Sequence, residues 1–569
     1  MKRSIRQIFA TGMAVIMMIS MASCSIRSDK KTQKADSSER SLKIKNDTWN
    51  YDAEHDLYYQ TKLTYCKNPA SKVYETLGIY VPSAYMKVKK NQDGKTYTAT
   101  VDPKGKVGRY TAKTAPVVFP VSSVNYTAEK ESDANQFEEV LDYVKSGMIY
   151  VRAGIRGLEN GKKEKTDGYI GGAPSGVTDL KAAIRYIRYN KNHLPGNTDS
   201  VFTFGIGSGG MISVMAGATG DSKAYIPYLS EIGAAQTDED GHTVSDEVTG
   251  TMSWCSLNSS EEPNAVYEWN VGQFYTVGSR KKQRWTSQLS KDLADRYADY
   301  INGLKLKSDG TVLSLQKSED GSYLSGKYYD YLLNQIQKSL NQFLKDTKFP
   351  YSERQGDSEV TYETPREYVK KLNKEKEWLK YNEKSNSVKV LNLEGFIVSS
   401  RKPSKEVGAA DGFQKEQTEN RLFGTQQQVK THFDETTARL VRMNADVYRK
   451  YSGWKHEYVS AYTEDFHQTD KVGNPVSVRQ KLYQPLYFLN TSYHEYGSSK
   501  IAKYWRIRTG MNQGKTMLSE EYNLNLILQN KKEIKNLDFA AIWGAGFQQV
   551  EKSGDSTENV IKWIGNCLK

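Results

Sequence analysis

Between residues 74 and 256 the chain repeats one pattern: a short apolar or β-branched run, then a longer polar stretch. The apolar runs cover residues 74–81, 115–122, 148–153, 200–205 and 249–256. Residues 134–146 and 174–192 lie between them with helical spacing, and the second places Leu180, Ala183, Ile184 and Ile187 on one face. Short strands that alternate with helices pair in parallel, because a parallel neighbour needs a crossover long enough to hold a helix. A sheet of that kind is covered on both faces. The pattern predicts the α/β class, with a mostly parallel, doubly wound sheet.

The pattern breaks after about Gly272. Residues 284–306, 326–345, 365–382 and 436–451 read as long, charged, Tyr-rich helices. Strand texture returns at 504–509 and 537–543, each followed by a helical stretch, 519–529 and 555–568. This predicts one α/β domain assembled from residues 46–272 and 484–569 and interrupted by a large helical insertion over 273–483. At that place an insertion sits as a lid over the carboxyl ends of the strands.

At the N-terminus Lys2, Arg3 and Arg6 precede a short apolar run, residues 8–21, which Met21-Ala22-Ser23-Cys24 closes. The run is short for a membrane span and reads as an export signal over residues 1–24. Its last four residues resemble a bacterial lipobox, which implies lipidation of Cys24 and anchorage on the outer face of a bacterial membrane; plain cleavage and an uncleaved anchor are the alternatives. Residues 25–45 hold almost no large apolar side chain and read as a disordered tether. These two segments also carry much of the formal charge of +13, leaving roughly +6 for the remainder. With no dense basic stripe, nucleic acid is not an expected partner. The basic tether suits an anionic membrane face or cell-wall polymer. Beyond Cys24 the cysteines are Cys66, Cys255 and Cys567, in no zinc-type spacing. At most one disulfide can form among them, and no metal site is expected.

The run Ser200-Val-Phe-Thr-Phe-Gly-Ile-Gly-Ser-Gly-Gly210 passes from strand through a tight turn into a helix, the place of a nucleophile elbow. Around it stand Gly154-Ile-Arg-Gly157, Gly172-Ala-Pro-Ser-Gly-Val-Thr-Asp179, Ala216-Gly-Ala-Thr-Gly220, Trp254-Cys255, Trp505-Arg-Ile-Arg-Thr-Gly510 and Trp543-Gly-Ala-Gly546. In this order the blocks resemble the tannase and feruloyl-esterase type of α/β hydrolase, over about 49–272 and 484–569. The resemblance implies the α/β-hydrolase fold and a Gly-x-Ser-x-Gly-Gly elbow, which places Gly207 where the nucleophilic serine would stand. It implies an acid in the turn after the strand ending at Gly510, where Gln513 and Lys515 occupy the two expected places. It implies a histidine four residues after Trp543, where this chain has Phe547. The seven histidines end at His494, so the last 75 residues hold none.

One rescue of activity suggests itself: Ser208 as a shifted nucleophile with His494 or His467 as its base. A second alternative uses the same glycines, since Gly205 to Gly210 also satisfies G-x-G-x-x-G. Asp221 and Glu231 lie in neither a strand nor the right frame for a dinucleotide ribose, so no cofactor is expected. Replacement at nucleophile, acid and base together favours a binding protein over an esterase. The expected ligand is a small aromatic, ester or anionic molecule, held by the amides of Ser208 and Gly209 at the helix start, by Lys515 and by the Phe547 ring. The 39 tyrosines suit such a pocket, although scattered surface tyrosines would give the same count. Arg156, Asp179, Glu268 and Arg508 read as members of structural ion pairs.

Overall fold

The computed structural model describes residues 41–131, 138–158, 171–257, 261–355, 358–401 and 405–569. The expected signal peptide, Cys24 and the tether as far as residue 40 lie outside the described residues. Leu42 and Ile44, expected in the tether, are each 3% exposed; Asn190 accepts from the amide of Ile44 at 2.8 Å and donates to the carbonyl of Leu42 at 3.0 Å. The folded part therefore starts earlier than composition suggested, because two apolar side chains in a polar run are enough to dock it.

Nine strands of the described residues form one sheet: β1 Asn50–Asp52, β2 Leu57–Thr64, β3 Thr76–Pro82, β4 Pro116–Val121, β5 Ile149–Ala153, β6 Asn197–Ile206, β7 Gly250–Trp254, β8 Tyr504–Gly510 and β9 Asn536–Ile542. Their spatial order is β1-β2-β3-β5-β4-β6-β7-β8-β9. From β5 to β9 every pairing is parallel; β3, expected from the run 74–81, joins β1 and β2, which hydrophobic pattern did not reveal, in an antiparallel flank. β7 pairs with β8 from Gly250 and Tyr504 to Trp254 and Arg508, so strands from before and after the insertion share one sheet.

Helices cover both faces. Phe202 of β6 meets Trp563 of the Ser556–Cys567 helix edge-on at 5.6 Å, while its neighbour Thr203 donates to the carbonyl of Ser213 in the Gly207–Ala218 helix. Successive strand residues point to opposite faces, so these two helices lie on opposite sides of the sheet. β7 is buried along its whole length, as a strand covered on both sides must be.

The insertion departs from an all-helical reading. It holds the long helices Trp285–Leu304 and Lys327–Asp346, but also three two-stranded hairpins, and the first strand of one, Leu379–Asn382 paired with Ser387–Val390, takes the end of the expected helix 365–382. There the helix Pro365–Leu372 stops because the Asn373 side chain accepts from the amides of Trp378 and Leu379, turning the chain into the hairpin. The expected helix 436–451 is two short ones, Glu435–Met443 and Ala445–Tyr448. Many of the tyrosines are core rather than pocket: Tyr297 and Tyr328 are fully buried beside Trp269.

Candidate functional site

The site is built where β6 runs into the Gly207–Ala218 helix with no intervening loop. Gly207 adopts φ +58°, a left-handed conformation that costs other residues roughly 1–2 kcal/mol. The turn packs hard against β4: a Cβ on Gly209 would stand 2.2 Å from the carbonyl oxygen of Val121. Only glycine fits there. A Cβ on Gly207 would stand 2.9 Å from Cζ of Phe547 and 3.8 Å from Cδ1 of Leu257. The position expected for a nucleophile and the position expected for a base are thus neighbours in space, and a phenyl ring fills the gap between them.

Ser208 is 2% exposed, and its hydroxyl oxygen accepts from the backbone amide of Tyr126 at 3.0 Å. Tyr126 and its neighbour Asn125 both hold positive φ, +62° and +51°, which presents that amide to the elbow. This bond ties the helix start to the Tyr126 backbone. His494 cannot serve Ser208 as a base, because its side chain is 93% exposed and its ring faces Glu495 at 3.5 Å. His467 is likewise exposed, at the end of the Glu457–Phe466 helix.

The turn after β8 brings in Gln513 and Lys515. The Gln513 carbonyl accepts from the amides of Lys515 at 2.8 Å and Thr516 at 3.0 Å, so Gln513 braces its own turn. Lys515 extends over Phe547, with its ammonium 4.9 Å from the ring centroid. Gly207, Phe547 and Lys515 form one stack at the carboxyl ends of the strands.

Beside this stack lies a cavity of about 310 Å3 between the sheet and the insertion. Tyr126, Leu257, Lys515 and Glu520 line it from the sheet side, and Lys405, Glu419, Phe423 and Phe433 from the insertion. Lys405 and Glu419 face one another at 3.8 Å, and that same Glu419 oxygen is buried without a hydrogen bond among the described residues. Burial and the adjacent Glu521 carboxyl hold Glu520 well above the usual carboxylate range. Burial likewise raises the Tyr126 phenol. Of the residues singled out in the sequence, Lys515 lines this cavity; Gly207, Ser208, Gly209, Gln513 and Phe547 do not. The Phe547 ring stands over the elbow, and the cavity lies beside it rather than at the Ser208 and Gly209 amides.

No protein-family model and no curated protein sequence matches the chain. Solved structures do. The tannin acyl hydrolase of Lactobacillus plantarum is 23% identical, with 90% of this chain and 94% of that chain covered and a TM-score of 0.65. The tannase of Fusobacterium nucleatum is 24% identical, with coverage of 90% and 95% and a TM-score of 0.66. A tannin acyl hydrolase in complex with 3,4-dihydroxybenzoate is 24% identical, with coverage of 92% and 99% and a TM-score of 0.65. This chain has the α/β-hydrolase fold of the tannases.

Within that tannase fold, the four charged residues named from the sequence are structural. Arg156 makes a two-pronged pair with Asp179, both oxygens of which it engages, and the Asp179 carboxylate also accepts from its amide at 2.7 Å. Glu268 pairs with Arg280, and Arg508 with Asp538. Cys66, Cys255 and Cys567 are all free. Among the described residues one group could offer three metal ligands, Asp238, Asp240 and His242; there Asp238 accepts from the amides of both others, which makes the group a closed surface turn. Lys405, Glu419 and Glu520 escaped the sequence reading. No motif marks them, and residues 405–433 belong to the stretch whose resemblance was weakest.

Proposed function

We propose that this chain is a non-hydrolytic binding protein on the tannase fold, which holds a small aromatic or anionic ligand in the cavity between sheet and insertion. One observation carries the reading: the Phe547 ring lies 2.9 Å from where any side chain on Gly207 would begin. An ester carbonyl attacked at the elbow needs a nucleophile on that residue and a base within hydrogen-bond reach. A glycine and a phenyl ring supply neither. What the cavity keeps is suited to holding: aromatic walls from Tyr126, Phe423 and Phe433, the Lys405–Glu419 pair, and the Lys515 ammonium. The relative with 3,4-dihydroxybenzoate bound supports a dihydroxybenzoate as the first ligand to try.

The test has two parts. Purified protein is expected to leave ethyl gallate and aryl acetates at the buffer rate, and to bind 3,4-dihydroxybenzoate in calorimetry with an affinity that Lys405→Met lowers. Turnover that disappears in Ser208→Ala would overturn the reading in favour of an active esterase. For location, we propose lipid attachment at Cys24 and display on the outer face of a bacterial membrane, supported by the basic start, apolar run and lipobox-like close. Mass spectrometry of the mature N-terminus checks this, and a free Ser25 or an intact Met1 would refute it.

A further inference from the structure

Beneath Lys515 and Phe547 lies a buried cluster with no part in the reading above. Arg401, 3% exposed, follows the Leu393–Ser400 helix of the insertion. Its guanidinium donates to the carbonyls of Met511 at 2.9 Å, Thr516 at 3.0 Å and Gly510 at 3.2 Å. One side chain thus ties together both ends of the turn that carries Gln513 and Lys515. Cys255 does the same for the neighbouring loop: its thiol points at the carbonyls of Gly546 at 3.9 Å and Gln548 at 3.6 Å, on either side of Phe547.

Next to both stands Glu521, fully buried on the Leu518–Gln529 helix, with only the Thr509 and Thr516 hydroxyls at its carboxyl and no ion-pair partner among the described residues. Burial pushes this group up to about 8, and the Thr509 and Thr516 hydroxyls and Arg401 offset that only in part. Desolvation in turn holds Arg401 below its ordinary value, and burial with Glu521 as neighbour pushes the Cys255 thiol up to about 11. The remaining titratable groups around the cluster are Tyr522 and Glu520 on the same helix and Lys515 on the turn, of which Tyr522 is raised by burial. Arg401 and Glu521 make no ion pair among the described residues, since the guanidinium is spent on carbonyls.

We infer that Arg401 and Glu521 form a proton-controlled latch: with Glu521 neutral, Arg401 clamps the Lys515 turn, and when Glu521 gives its proton to solvent the carboxylate draws the guanidinium away and frees the turn. The physical reason is the contrast in bond strength. A carboxylate adds the attraction of opposite charges, strong at a buried site, to the hydrogen bond that a carbonyl offers, and a buried carboxylate left unpaired is costly. Arg401 is the long side chain and Glu521 is fixed on a helix, so Arg401 is the partner that moves. Lys515 is then held in place at neutral pH and released in alkali. That consequence for a ligand rests on the proposed binding role; the latch itself does not.

Hydrogen–deuterium exchange of the full chain, corrected for intrinsic rates, tests it at about pH 6.5 and about pH 9.5. Residues 510–517 of the wild type are expected to lose protection about tenfold across that step, while the Ser175–Tyr189 helix keeps its own. Glu521→Gln, which cannot ionise, is expected to stay protected at both values, and Arg401→Gln to be unprotected at both. Equal protection of the wild-type turn at both values would overturn the latch, as would a loss in Glu521→Gln equal to that of the wild type. The Glu521→Gln result decides even if Arg401→Gln fails to fold. No ligand or ester enters the measurement, so its failure is separate from failure of the binding role.

Discussion

The elbow and the insertion wall of the cavity differ in kind. At the elbow, beside the cavity, the positions that would do chemistry form an apolar stack, Gly207 against Phe547 with the Lys515 ammonium over the ring, and Ser208 is turned inward to an amide. On the insertion side the wall keeps charged groups, and a dense polar network holds it in shape. Asp411 there accepts from His432 at 2.7 Å, from Asn420 at 2.7 Å and from the amides of Phe433 and Asp434. The difference teaches that the groups proposed to place a ligand and the elbow positions sit on separate parts of this fold, so one set can change without the other.

The sharpest way to break the comparison is Asp411→Ala. It strands four donors in a fully buried site and is expected to cost about 3–5 kcal/mol in denaturant unfolding. A loss of under about 1 kcal/mol would mean that the insertion wall does not depend on its network. Next in size, Lys405→Met or Glu419→Gln should weaken dihydroxybenzoate binding by about 1–3 kcal/mol in calorimetry, and Lys515→Ala by less, since its ammonium is shared with the Phe547 ring. Equal losses on both walls would erase the distinction drawn here.

Gly207→Ser probes the apolar stack itself. A serine at φ +58° that meets a ring at 2.9 Å should lower stability by about 1–2 kcal/mol without producing ester turnover. Combining it with Phe547→Ala should recover the part due to the collision. The last prediction concerns pH. Burial first, and nearby acids, push Asp434 of the insertion wall up to about 7, above its ordinary value of 3.8. A group raised in this way holds a proton in the folded state that the unfolded chain has released. Its contribution is complete at acid pH and is lost as pH rises through about 7. Asp434→Asn should therefore flatten the decline of melting temperature between about pH 4 and pH 7 relative to wild type.

Local pattern was enough for the α/β class, the parallel strands and the elbow, because strand and helix periodicity and the close-packed glycines 205, 209 and 210 are written in consecutive residues. Gly207, Lys515 and Phe547 were singled out by the resemblance to the tannase type, not by local pattern. Pattern failed for β1 and β2, for the hairpin at Leu379–Asn382 and for the docking of Leu42 and Ile44, where short segments take their conformation from what they pack against. Only the tertiary structure decided which side chains face the cavity. Lys405 and Glu419 lie about a hundred residues from Lys515 in the chain and share no motif with it; the fold alone brings them to one space. The same holds for Phe547 over Gly207, a contact between residues 340 positions apart, since contact across such separations depends on how helices and sheet pack and leaves no periodic trace in the sequence.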